Sequence, residues 1–257
     1  MRRGNFKVRI FIFIAIAAFA YLRKCSQEEI NPYTGKKQAI SLSPQEEIAI
    51  GLQSAPGMAQ QHGGLHPNNE YQALVDNVGN KLVNSSIAKA TPYKYDFHLL
   101  ADQNTINAFA LPGGQIFITY ALFSKLENKD QLAGVLGHEI GHVLGKHSNE
   151  RITNANFWKV LAMGSSAIDM GGVAQQMGQG QLLKNGRGDE LESDELGVQF
   201  MIEAGYNPEE MIGVMEILKA AAGPNRVPEF QSTHPDPENR IEKIREAIEN
   251  YRYKKAS

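Results

Sequence analysis

His138, Glu139, Ile140, Gly141 and His142 set two imidazoles four residues apart with a carboxylate between them. On a helix, residues four apart lie one above the other on the same face, so His138 and His142 can direct two ring nitrogens at one ion. Glu139 lies about 100° further round the helix, beside the ion and not competing for it. A zinc ion held there would lower the pKa of its water to about 7 and polarise a carbonyl, while the carboxylate takes a proton and passes it to the leaving amine. That is the division of labour of metal-assisted peptide hydrolysis. The competing reading is two solvated histidines on a helix face. Gly141 argues against it, because an idle glycine costs a helix interior about 1 kcal/mol, and close approach of another element would account for it.

A catalytic zinc takes three protein ligands and keeps one position open. His147 is five residues past His142 and falls on a different helical face, so it reads as a surface or supporting residue. Downstream, Glu190 and Asp194 share one helix face, with Gly197 and Met201 continuing the stripe. Glu190 is therefore the candidate third ligand, and Asp194 can accept the free ring N–H of a zinc-bound histidine and fix its tautomer. Gly197 would let this helix pack tightly on the motif helix. Asp189, Glu192 and Glu195 are expected to face solvent. Two histidines and one glutamate suit zinc better than the harder magnesium or calcium ions.

The elements that must position these groups can be read from caps and periodicity. Ser43-Pro44-Gln45-Glu46 is a capping box that starts a helix running toward Pro56-Gly57, which should bend or end it. A second helix is expected over about Asn69 to Ala88. Alternation predicts strands over Lys94 to Ala101 and Ile106 to Leu111, and Pro112-Gly113-Gly114 turns the chain into a third strand, Gln115 to Thr119. Asn128, with Gln131 three residues on, caps the motif helix through Leu144. Met163 to Gly180, rich in Gly, Ser, Ala, Gln and Met, reads as a mobile segment, either a lid or a surface linker. Helices resume from about Asp189 to Ala204, restart at the Asn207-Pro208-Glu209-Glu210 box, and end with one that opens at Asp236-Pro237 and runs into Tyr251. The class is α+β, mostly helical.

Composition narrows the functions further. Of 257 residues, 42% are hydrophobic and 21% charged, so residues 43–257 are expected to form one catalytic unit. A net charge of -2 and a pI near 6.4 argue against nucleic acid as a partner. The single Cys25 excludes an internal disulfide and a Cys-based metal site. Arg2, Arg3, Lys7 and Arg9 precede the wholly apolar run Ile10 to Leu22, the arrangement of an export signal. Residues 1–24 are thus an export signal or membrane anchor, with cleavage near Ala18-Phe19-Ala20 as the alternative, and the rest is expected outside the cytoplasm. Residues 25–42 read as an extended linker with a turn.

The chain resembles the gluzincin peptidases, which include the heat-shock protease HtpX, the type I CAAX prenyl protease and periplasmic quality-control metallopeptidases. The resemblance runs from about Ser43 to Arg245. It rests on His138 to His142, on Glu190 to Asp194, on Asn107-Ala108-Phe109-Ala110-Leu111-Pro112-Gly113-Gly114, and on Ser232-Thr233-His234-Pro235 with Arg240. Ser193 departs from the alanine usual there, small for small. The resemblance implies a gluzincin fold and a zinc endopeptidase with one zinc ion per chain, acting on extended or misfolded polypeptides. It also implies that Gln115, Ile116, Phe117, Ile118 and Thr119 form the edge strand onto which substrate adds as an extended chain. His234 would sit near the open metal position, stabilising an oxyanion or capping the zinc at rest, with Arg240 as its support. The prenyl-protein branch needs several long apolar spans, and this chain has one short one. A chaperone-like assembly factor with gated cleavage is the alternative, and a purely structural zinc domain is a third reading.

Overall fold

The computed structural model describes residues 4–166, 170–221, 234 and 239–256. In chain order its elements are α1 (Gly4–Ser26), β1 (Glu28–Ile30), β2 (Lys37–Ala39), α2 (Pro44–Gln61), α3 (Asn69–Ser85), a 3₁₀ turn (Ile87–Ala90), β3 (Asp96–Leu100), β4 (Ala108–Ala110), β5 (Gln115–Thr119), the short α4 (Tyr120–Phe123), α5 (Lys129–Leu144), α6 (His147–Ser165), α7 (Gly171–Glu203), α8 (Glu210–Ala221) and α9 (Arg240–Ala256). They fall into two units, Met1–Leu42 with Lys146–Gly186 and Ser43–Gly145 with Arg187–Ser257. The expected single unit over 43–257 is thus interrupted by 146–186, and α7 belongs to the first unit up to Gly186 and to the second beyond it.

In the second unit, α5 forms where its cap predicts, with the Asn128 side chain accepting the Gln131 N–H at 2.9 Å. Leu132, Leu136, Ile140 and Leu144 form one buried row, and Ala133 and Val135 are buried on other faces. A helix buried nearly all round is a core element, so the motif is held rigidly. Above it lies a three-stranded sheet of order β3-β5-β4, with β3 parallel and β4 antiparallel to β5. α3 covers the sheet with Val75, Val78 and Leu82, and a Cβ at Gly79 would come within 2.5 Å of the Phe97 ring.

The topology corrects one expectation. Gln115–Thr119 is the central strand, not an edge, and all five residues are buried. Ile116-Phe117-Ile118 is apolar on both faces, as a strand covered on both sides requires, and β3 occupies the side that the hairpin partner leaves. The edge strand of the hairpin is β4. Pro112-Gly113-Gly114 turns the chain between β4 and β5. Gly113 has φ +82 and lies so close to α2 that a Cβ would meet Ile48 Cα at 2.4 Å, so no other residue fits.

Two further differences have simple causes. α2 runs through Pro56 to Gln61, because Pro56 lies on an exposed face where the carbonyl that loses its partner stays hydrated. The described part of Met163 to Gly180 is helical: α6 reaches Ser165 and α7 begins at Gly171. Packing overrides glycine's poor propensity there, since Gly178 lets α7 sit against Trp158, 2.8 Å from where a Cβ would be. Asp236 and Pro237, the expected start of the last helix, lie outside the described residues, as do Ser232, Thr233 and Pro235.

In the first unit, residues 25–42 fold as a β1–β2 hairpin instead of an extended linker. The Asn31 side chain accepts the Tyr33 N–H at 2.9 Å and makes the turn that the sequence signals. Asn149 of α6 accepts the Ser41 and Leu42 N–H groups and donates to the Leu42 carbonyl. Among the described residues, no helix is long and apolar enough to cross a membrane.

Candidate active site

Helix α5 supplies His138, Glu139 and His142, and the second-unit part of α7 supplies Glu190 and Asp194. The two helices touch through small residues. A Cβ on Gly141 would lie 2.9 Å from Ser193 Cα, and one on Gly137 would lie 3.3 Å from Gly197 Cα. That accounts for a glycine inside the motif and for the expected role of Gly197.

At this separation, Glu190 reaches both motif histidines, with Oε2 3.3 Å from His138 Nε2 and Oε1 3.3 Å from His142 Nε2. The two Nε2 atoms are 3.0 Å apart. His234 joins them, its Nδ1 3.1 Å from Glu190 Oε1 and 3.3 Å from His138 Nε2. Ligand atoms of His138, His142, Glu190 and His234 all lie within 4.8 Å of one another.

The surrounding hydrogen bonds set the tautomers. His138 Nδ1–H donates to Asp194 Oδ1 at 2.9 Å, which turns the Nε2 lone pair inward. His234 Nε2–H donates to the Ala108 carbonyl at 3.2 Å, which turns Nδ1 inward. Nitrogen lone pairs and a carboxylate then converge on one point, an arrangement that only a cation stabilises. The donor set therefore fits a zinc ion. The proton affinities carry the same demand for positive charge. Burial works against a charged His138, but the Asp194 and Glu190 hydrogen bonds outweigh it and push its pKa up to about 9. For Glu190 burial is likewise outweighed, here by the His234 charge and by bonds from His138 and His142, and the carboxyl stays far below the usual range.

Asp194 is 2% exposed and is held by Arg240 of α9 through Nε at 2.6 Å and Nη2 at 2.9 Å. Burial would raise its pKa, but the guanidinium charge dominates and lowers it. Glu139 is 1% exposed, and neither carboxylate oxygen accepts a hydrogen bond among the described residues. Burial pushes its pKa up against the opposing charge of His234, as suits a group that takes and returns a proton. Of the three acidic residues expected to face solvent, Glu195 is exposed, Glu192 is half-buried and Asp189 is buried, and of the two readings of His147 its burial excludes the surface one.

The sequence reading did not assign the outward edge of β4. Thr119 N–H bonds the Asn107 carbonyl and Leu111 N–H bonds the Gln115 carbonyl, so in the antiparallel pairing the alternate residues Ala108 and Ala110 point their backbone groups away from β5. The hairpin turn together with the unalternating Ile116-Phe117-Ile118 was the available signal.

A histidine pair and a glutamate around one point, with a buried carboxylate alongside, define a metallohydrolase site of the HExxH type. The chain belongs to Peptidase family M48, whose profile matches residues 69–248. It is 28% identical over 233 residues to the beta-barrel assembly-enhancing protease of Yersinia pestis, covering 85% of this chain and 47% of that protein. It is 29% identical over 245 residues to the mitochondrial metalloendopeptidase OMA1 of Schizosaccharomyces pombe, covering 92% and 71%. To the beta-barrel assembly-enhancing protease of Escherichia coli K12 it is 32% identical over 181 residues, 65% of this chain and 37% of that protein. The chain thus spans less than half the length of these bacterial relatives.

Proposed function

We propose that the protein is a gated zinc endopeptidase that cleaves extended or misfolded polypeptides in quality control outside the cytoplasm. The observation that carries this reading is the convergence of His138 Nε2, His142 Nε2 and Glu190 on one point beside the buried, unbonded Glu139 carboxylate. His138, His142 and Glu190 would hold the ion, which would supply a Lewis acid and an acidified water. Glu139 takes the proton from the attacking water and delivers it to the leaving amine. Asp194 keeps His138 in the ligand tautomer, and Arg240 keeps Asp194 charged and aimed.

Substrate adds as an extended chain to β4, whose Ala108 and Ala110 backbone groups face outward, so backbone is recognised more than sequence. In this conformer His234 stands at the fourth donor position and bonds the Ala108 carbonyl. An arriving peptide N–H would compete with His234 for that carbonyl, so His234 would have to move aside for a chain to pair with β4. Gating therefore lies in His234, and in the open state its imidazole is placed to stabilise the oxyanion. The basic and apolar N-terminal segment supports export and attachment to a membrane. The curated names that speak of beta-barrel assembly and of a mitochondrial endopeptidase support a quality-control role.

The test is zinc content and cleavage of unfolded casein by the full chain and by Glu139→Gln. Stoichiometric zinc in both, with cleavage in the wild type alone, is the expected outcome. Folded protein without zinc would overturn the proposal.

A further inference from the structure

The first unit contains a cleft that the peptidase chemistry does not use. α1 and α6 run antiparallel: Ile16 lies where a Cβ on Gly164 would be 3.0 Å away, and Lys24 Nζ stands 5.0 Å over the Phe157 ring. Between them opens a cavity of about 310 Å³, within the size range of small-molecule sites. Its apolar wall includes Phe19, Phe157, Val160 and Met163, and Arg23, Lys24 and Lys159 line it too. Phe19 is 65% exposed and Met163 is 70% exposed, so the apolar part faces outward. Among the described residues none of the three cations forms a salt bridge.

The surroundings continue the pattern. Val8, Phe11, Ile12 and Ile14 of α1 and Met177 and Leu183 of α7 are also exposed. Across Gly4–Ser26, His147–Ser165 and 171–186 the sequence carries Lys7, Arg9, Arg23, Lys24, Arg151, Lys159 and Lys184 against Glu150 alone. An exposed apolar surface bounded by cations is complementary to the boundary between acyl chains and anionic headgroups.

We propose that the α1–α6 cleft binds an anionic phospholipid of a bilayer, with an acyl chain against Phe19, Val160 and Met163 and the phosphate at Arg23, Lys24 and Lys159. Helix α6 is then part of the membrane-binding surface, and attachment does not rest on α1 alone. The inference deepens the membrane attachment proposed above and is independent of the peptidase site.

The test uses the full chain with phosphatidylcholine vesicles, with and without phosphatidylglycerol, and a trace of phospholipid carrying a photoreactive acyl chain. Labelling of α1 and of the α6 peptide around Phe157 to Met163, stronger with phosphatidylglycerol, is expected. Joint replacement Arg23→Gln, Lys24→Gln and Lys159→Gln should weaken partitioning to the anionic vesicles on the order of 10²-fold, with an unchanged far-ultraviolet circular dichroism spectrum and with Lys159→Arg behaving as wild type. Labelling confined to α1 would overturn the cleft and leave the tether standing, and labelling of neither helix would overturn both. Displacement by millimolar inorganic phosphate would make this a free-anion site, and crosslinks between α6 of two copies would make it a dimer face. Either result sinks the lipid assignment.

Discussion

The two units treat polarity in opposite ways. The second buries charge: His138, Glu139, Glu190, Asp194, His234 and Arg240 are each at most 5% exposed. The first leaves apolar side chains outside, with Phe11 at 72% and Met163 at 70%. Apart from Glu139, whose carboxylate accepts no hydrogen bond among the described residues, these groups are tolerated because their partners are in place, and an unpaired one costs several kcal/mol. Exposed apolar groups contribute independently, each in proportion to its area. The second unit should therefore fail abruptly when one group is changed, and the first should weaken by degrees.

The largest expected effect tests that abruptness. Glu139→Gln should reduce kcat/KM for an unfolded protein substrate by on the order of 10³-fold, with zinc retained by elemental analysis. Next comes Arg240→Met, which leaves Asp194 buried without its cation. Urea denaturation should show a loss of about 3–5 kcal/mol, and a loss below 1 kcal/mol would mean that the network is not as tightly matched as described.

Gly141→Ala should cost about 1–3 kcal/mol by overpacking against Ser193. It should also weaken zinc binding, because it moves Glu190 relative to His138, so a stability loss with unchanged zinc affinity would separate the two helices' packing from the site. A smaller effect is expected at Asp102, whose side chain is 13% exposed and 3.0 Å from His62 Nδ1. Burial would raise its pKa, but the bonds from Thr105, Asn104 and His62 hold the carboxyl far below the usual range. The folded-state pKa is depressed, so its stabilisation is present above the unfolded value of about 3.9 and is lost as pH falls below it. Asp102→Asn should thus cost about 1–2 kcal/mol at pH 7, and in acid denaturation the difference from wild type should begin to narrow below about pH 3.9 and close only as pH reaches the strongly depressed folded-state value. Lys243→Ala, which breaks an exposed pair with Glu246, should not move the midpoint measurably.

How legible each part was in the sequence follows from the range of the interaction concerned. The α5 cap, the motif face and the Glu190 to Asp194 stripe depend on neighbours within one or two helical turns, and periodicity gives those directly. That Asp194 meets His138 while Arg240 meets Asp194 is a contact across 46 residues or more, and only the family likeness pointed to Arg240. The position of β5 depended on where β3 docks, and nothing in Asp96–Leu100 or its flanks encodes that side. The Gly-rich stretch before Glu190 misled because local propensity counts each glycine as a loss, whereas Gly178 is what lets α7 approach Trp158.

One further consequence follows from the order in which the chain is made. The motif of α5 is synthesised long before His234 and Arg240, and domains form from the N-terminal side as the chain emerges. Until α9 arrives, Asp194 has no guanidinium partner and His138 has no firmly charged acceptor, so a growing chain carries a half-built centre. The centre is thus drawn from the whole length of the second unit, and its support and its His234 gate are completed together, only when the last helix has docked.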